Sequence, residues 1–197
     1  MKVLQRSVLA LLLGVAIVST GCQQPREDRS RWYDSQFYLS HFIVINGLLI
    51  NGEVDPNYTP EGTFVGEPLQ MQVLTWDSTG VSIAFRVGED RSRTWFITRE
   101  QDGRLHLRHD HRDPDGTPHD LTDYGGYGYA SADYSSCDFA ADDATAAMLP
   151  EAATNIWTME FDFDNDRFIY NLTRHGAPRF RAVFDLTTAR LPAQDGE

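Results

Sequence analysis

An all-β fold, a single antiparallel barrel or sandwich with one short helix, is predicted by three features of the sequence. From about residue 36 onward, apolar side chains recur with period two. Turn-forming residues interrupt that pattern every 8 to 12 positions. The chain has 197 residues and is 41% hydrophobic, enough for one domain with a sizeable core and short for two.

The elements follow in order. A first hairpin joins residues 69–76 to 81–87 through Asp77-Ser-Thr-Gly80. A second joins 93–99 to 104–111 through Gln101-Asp-Gly103. With Gly103 in the left-handed position of a three-residue loop, Ile97 pairs with Leu107, Trp95 with His109 and Arg93 with His111. A two-residue loop would set Ile97 against Arg108 and waste the apolar face, so the longer loop is expected. A third hairpin joins 157–164 to 167–174 across Asn165-Asp166, and the chain then passes through His175-Gly-Ala-Pro178 into 180–186. Met159, Phe161 and Phe163 share one face of their strand, and Phe168, Tyr170 and Leu172, then Phe180, Ala182, Phe184 and Leu186, repeat it. Residues 37–50 are apolar without alternation and suit a buried strand or a helix. Residues 142–149 form the one short helix, capped by Asp142 or Asp143 and stopped by Pro150. One apolar and one polar face per strand suits a sandwich or a closed, lipocalin-like barrel whose interior is filled or holds a ligand. The domain is assigned to residues 36–190, with 191–197 as a C-terminal tail.

The N-terminus carries an address. Lys2 and Arg6 precede an apolar run over 8–18, too short to span a bilayer as a helix and suited to the core of a secretion signal. The run ends in Ser19-Thr20-Gly21-Cys22, which resembles the lipobox of bacterial lipoproteins, although Ser19 stands where an aliphatic residue is usual. The resemblance implies removal of residues 1–21 and lipidation of Cys22, and several acyl chains together anchor stably. Residues 22–35 are then the lipidated anchor and a polar tether. Gln23, rather than aspartate, follows the cysteine, so the expected location is the outer membrane, facing the periplasm.

Charge and cysteine usage narrow the possibilities. Basic residues number 17 against 29 acidic, a net charge of −12, and loss of Lys2 and Arg6 leaves 15 against 29. That balance excludes an electrostatic footprint for nucleic acid. Lys2 is the only lysine, so the processed chain has no Schiff-base amine and no P-loop lysine. With Cys22 lipidated, Cys137 has no disulfide partner and reads as a small buried hydrophobe.

Four of the six histidines fall between residues 106 and 119. His109 and His111 share the inward face of their strand, about 7 Å apart. Two imidazoles so placed can begin a metal site, with Asp115, His119 or His106 completing it around one transition-metal ion. The string Gly103-x5-His109-x-His111-x3-Asp115 resembles the first cupin motif, with aspartate where that family has glutamate and no second motif downstream. The bland alternative is a buried hydrogen-bonded network of His109, Asp110 and Arg112 that needs no cofactor. Tyr124-Gly-Gly-Tyr-Gly-Tyr129 reads as a loop at the barrel mouth, its tyrosines either plugging the end or offering flat faces to a ligand. Trp95, His109, His111, Tyr124, Tyr127 and Tyr129 are therefore the candidate ligand-binding residues. Asp162-x-Asp164-x-Asp166 resembles the start of a calcium loop but lacks its glycine and its terminal glutamate, and reads as a solvated hairpin tip. No GxSxG elbow is present.

Arg93-Thr-Trp95, His109-Asp-His-Arg112, Asp115-Gly116, Thr122 and Tyr124-Gly-Gly126 together resemble the signature of a family of secreted bacterial proteins and lipoproteins without an assigned activity. The resemblance runs more thinly through Trp157 to Phe184-Asp-Leu186 and covers most of residues 70–186. It implies a periplasmic or surface β-domain and carries no catalytic residue with it. The expectation is a non-enzymatic envelope module that binds a small molecule or an envelope protein. The alternative is a metal-binding protein or metal-dependent enzyme built on His109 and His111.

Overall fold

The computed structural model describes residues 26–193. Ten antiparallel strands close into one barrel: β1 (Leu49–Val54), β2 (Leu69–Asp77), β3 (Gly80–Val87), β4 (Asp90–Arg99), β5 (Leu105–His111), β6 (Tyr124–Gly128), β7 (Ser136–Ala141), β8 (Asn155–Asp162), β9 (Arg167–Arg174) and β10 (Ala177–Asp185). Each strand pairs with its neighbours in sequence, and β1 pairs with β10 to complete the ring, so no edge is left open. Inward positions form the core, among them Met71, Ile83, Trp95, Leu107, Phe139, Trp157, Phe168 and Phe184. The outward positions of the same strands include Gln70, Arg86, Arg108, Glu160 and Asn171. Leu74, Phe96 and Ile156 stand exposed among these outward positions. Among the described residues no helix is long and apolar enough to cross a membrane.

The expected register of the second hairpin is the observed one: Ile97 faces Leu107, Trp95 faces His109 and Arg93 faces His111. Gly103 supplies the left-handed turn residue, with φ of 81°. Three local expectations change. The third hairpin turns over four residues rather than two, because β8 ends at Asp162 and leaves Phe163 exposed at the tip. Tyr124–Gly128 is a barrel strand, not a loop. A Cβ at Gly125 or Gly126 would sit 1.9 and 1.8 Å from the carbonyl oxygens of Leu107 and Ala140, so only glycine lets β6 lie this close to both neighbours. The polar tether gives way from residue 26 to a helix, α1 (Arg26–Ser40), whose backbone runs directly against the Gly103 turn.

Helix α1 and the 3-10 turn after it close the barrel at the end where β2 meets β3, β4 meets β5 and β8 meets β9. Ser35 is buried and its hydroxyl donates to the Gly103 carbonyl. The Tyr38 hydroxyl donates to the Met159 carbonyl at 3.1 Å, and the Trp76 indole N–H donates to the Leu39 carbonyl. Phe42 packs edge-on against Phe161 and Phe168, with ring centroids 4.9 and 5.7 Å away. Tyr38, Leu39 and Phe42 are fully buried. The other face of this segment exposes Trp32, Tyr33 and Phe37, followed by Ile43 and Val44. At the opposite end the chain makes its longer connections, and there α2 (Asp143–Met148) stands where the short helix was expected. Asp142 is its cap, accepting from the Thr145 amide at 2.8 Å.

Candidate functional site

The end of the barrel opposite α1 is open. Inward side chains of β3, β4, β5, β6, β8, β9 and β10 surround a cavity of about 400 Å³, within the range of small-molecule sites. Phe85, Trp95 and Tyr170 form one continuous aromatic stack, with centroids 4.7 Å apart between the first two and 4.5 Å between the second two. His109 lies parallel to Tyr124 at 4.6 Å, and Trp157 stands 5.1 Å from the His109 ring. Leu172, Phe180 and Phe64 complete the apolar lining.

The interior hydrogen bonds have a fixed direction. His109 Nδ1 lies 3.1 Å from the Tyr124 carbonyl oxygen, which can only accept, so Nδ1 carries the proton. Nε2 therefore accepts, and its partner at 2.7 Å, the Tyr170 hydroxyl, donates. Burial lowers the His109 pKa to about 3, so the ring is neutral at neutral pH, as this arrangement requires. Burial also pushes the Tyr170 phenol well above its ordinary value, which keeps its proton in place. Both ring nitrogens of His109 are thus engaged by protein groups. His111, nearer the mouth, has its pKa lowered by burial and by the adjacent Arg93 and His119.

The rim is polar. Arg93 pairs with Asp90 and lies over the Phe64 ring at 5.1 Å, and Arg179 pairs with Glu61 at 2.5 Å. Arg174 Nε donates to Asn155 Oδ1 at 2.8 Å, and Asn155 is itself buried. His111, His119, Leu121 and Glu151 fill the remainder of the rim.

Of the candidate ligand-binding residues, Trp95, His109, His111 and Tyr124 line this cavity. Tyr127 points outward, stacked on His106 at 4.0 Å with Arg104 above it. Tyr129 is exposed at the closed end, beneath Arg31. The metal ligand set does not come together. Among the described residues no three His, Cys, Asp or Glu side chains are grouped to hold an ion. Asp115 instead accepts from the Thr117 amide within its own loop, His119 lies 6.4 Å ring to ring from His111, and His106 is on the outer surface facing Asp142 and Glu100. The expected His109–Asp110–Arg112 network is also split by the wall of the strand. His109 turns inward to Tyr170, whereas Asp110 and Arg112 pair with each other outside at 2.9 Å. Cys137 is buried and burial raises its thiol pKa. Cys22 lies outside the described residues.

Phe85, Trp157, Tyr170, Leu172, Phe180 and Arg174 are lining residues that the sequence reading did not single out. The signal for most of them was present, since they occupy inward positions of the predicted strands. What was missing was which end of each strand stays unfilled. The architecture defines a closed up-and-down β-barrel with one stoppered and one open end. Compared with models of protein families, with curated proteins and with solved structures, the chain finds no match.

Proposed function

We propose that this protein is a cell-envelope lipoprotein whose barrel binds a small, largely apolar molecule in the open cavity. The cavity carries the reading: about 400 Å³ lined by aromatic and aliphatic side chains, with polar groups gathered at the rim. The interior imidazole adds to it, because both nitrogens of His109 are already bonded within the protein and neither is poised to ligate a metal or take a proton. Trp95 and Trp157 lie in the wall, so an occupant should change their fluorescence. Titrating the full chain with the neutral probe N-phenyl-1-naphthylamine should give saturable binding at one site. Leu172→Trp, which fills the cavity, should abolish it. Unsaturable binding, or binding indifferent to Leu172→Trp, would overturn the reading.

Anchoring at the outer membrane through Cys22, with the domain in the periplasm, is supported by the lipobox-like Ser19-Thr20-Gly21-Cys22 and by Gln23. The closed end suits this attachment. Helix α1 begins four residues after Cys22, and the same end exposes Trp32, Tyr33, Phe37, Ile43 and Val44, residue types that settle at membrane interfaces. The cavity mouth then faces away from the bilayer. Labelled palmitate should be incorporated into the wild type and not into Cys22→Ser, which should leave the membrane fraction. An unlabelled wild type would contradict the anchor.

A further inference from the structure

We infer that the molecule this cavity takes is an amphipathic acid, its apolar body against the aromatic walls and its single anionic head at Arg174. The inference rests on the proposed function, in which the open cavity is a ligand-binding calyx, and specifies its ligand class. In a chain of net charge −12, three arginines stand at one rim. Two are neutralised by the protein: Arg93 by Asp90 and Arg179 by Glu61. Arg174 differs. Among the described residues no carboxylate pairs with it, and Glu151, on the same rim, is exposed and makes no ion pair.

Its orientation is nonetheless set. Asn155, only 4% exposed, accepts from Nε and fixes the guanidinium plane while leaving the Nη groups unassigned. A half-buried cation beside an apolar wall is costly without an anion. A guanidinium held by Nε still presents the planar fork that matches a two-oxygen acid group. Below that point Leu172, two residues earlier on the same strand, and Tyr170 continue into the aromatic wall. One strand therefore supplies, from rim to floor, a cation, an aliphatic contact and an aromatic face.

Two probes with the same aromatic body separate the head from the body: N-phenyl-1-naphthylamine, which is neutral, and 8-anilinonaphthalene-1-sulfonate, which adds one acid group. The full chain should bind the sulfonate about tenfold or more tighter, the scale of one charge-assisted contact. Arg174→Met should erase that preference while keeping affinity for the neutral probe, which also reports that the barrel is folded. Arg179→Met, which removes an already paired cation, should retain most of the preference. Leu172→Trp should abolish binding of both. Equal affinities in the wild type, or a preference that survives Arg174→Met, would overturn the anionic seat and leave the calyx reading intact. Binding of neither probe would overturn both.

Discussion

The two ends of the barrel are built from the same kinds of side chain and finish differently. At the closed end, Tyr38, Leu39 and Phe42 enter from α1 and the turn after it and are fully buried, Tyr38 and Phe42 meeting Phe161 and Phe42 also meeting Phe168 edge to face. At the open end, Phe85, Trp95, Tyr170, Tyr124 and Trp157 stack along the walls, yet no helix descends between them, and a cavity remains. Alternation along the strands makes both ends aromatic inside. A capping segment decides which aromatic interior becomes core and which becomes a site. The polar groups follow the same division. The closed end holds its hydroxyls in helix-to-strand bonds such as Tyr38 to Met159, while the open end keeps the cation of Arg174 at the rim.

The comparison breaks most readily at the stopper. Phe42→Ala should cost about 3–5 kcal/mol of unfolding free energy, measured by denaturant titration, because it empties a rigidly packed aromatic contact. The folded fraction should still bind the neutral naphthyl probe. At the open end, Tyr170→Phe should cost about 1–3 kcal/mol by leaving His109 Nε2 buried without its donor.

The next effect is set by pH. Folding lowers the His109 pKa from its ordinary value near 6.5 to about 3. Between those values the unfolded chain takes up a proton that the native state refuses, so stability should fall as pH drops from 7 to 5. The loss should be roughly 1–2 kcal/mol from this residue, and it should shrink in His109→Phe. Burial lowers His41, His106 and His111 in the same direction, so some slope should persist in that variant. The smallest effect belongs to the outer wall. Arg112→Ala, which breaks an exposed pair with Asp110, should change stability by less than about 0.5 kcal/mol and leave probe binding unaltered.

The barrel was legible in the sequence wherever the two strand faces differ in polarity. The β4–β5 register followed from keeping Ile97 opposite Leu107, and α2 followed from Asp142 or Asp143 as a cap before a short alanine-rich run, the structure choosing Asp142. Helix α1 was not legible as a helix at its start, because residues 26–36 are mostly polar and gain their order from contacts made elsewhere. Ser35 needs Gly103, and Tyr38 needs Met159, 121 residues away. Strand β6 was hidden by its glycines, which weaken a strand in isolation and here satisfy a close approach between neighbours. For the site, spacing placed Trp95, His109 and His111 inward, and they are inward. It gave no means of knowing that the His109 nitrogens meet Tyr124 and Tyr170, or that Asn155 holds Arg174, since those partners come from distant strands.

Hydrogen exchange of the full chain with and without saturating N-phenyl-1-naphthylamine tests the division between the two ends most directly. Protection should rise in the segments around the mouth, residues 59–64, 117–124, 149–157 and 170–180, and stay unchanged over 35–42 and 159–163. Protection confined to the closed end, where Trp32, Tyr33 and Phe37 are exposed, would place the apolar site on the outside of the stopper and contradict a ligand-binding calyx.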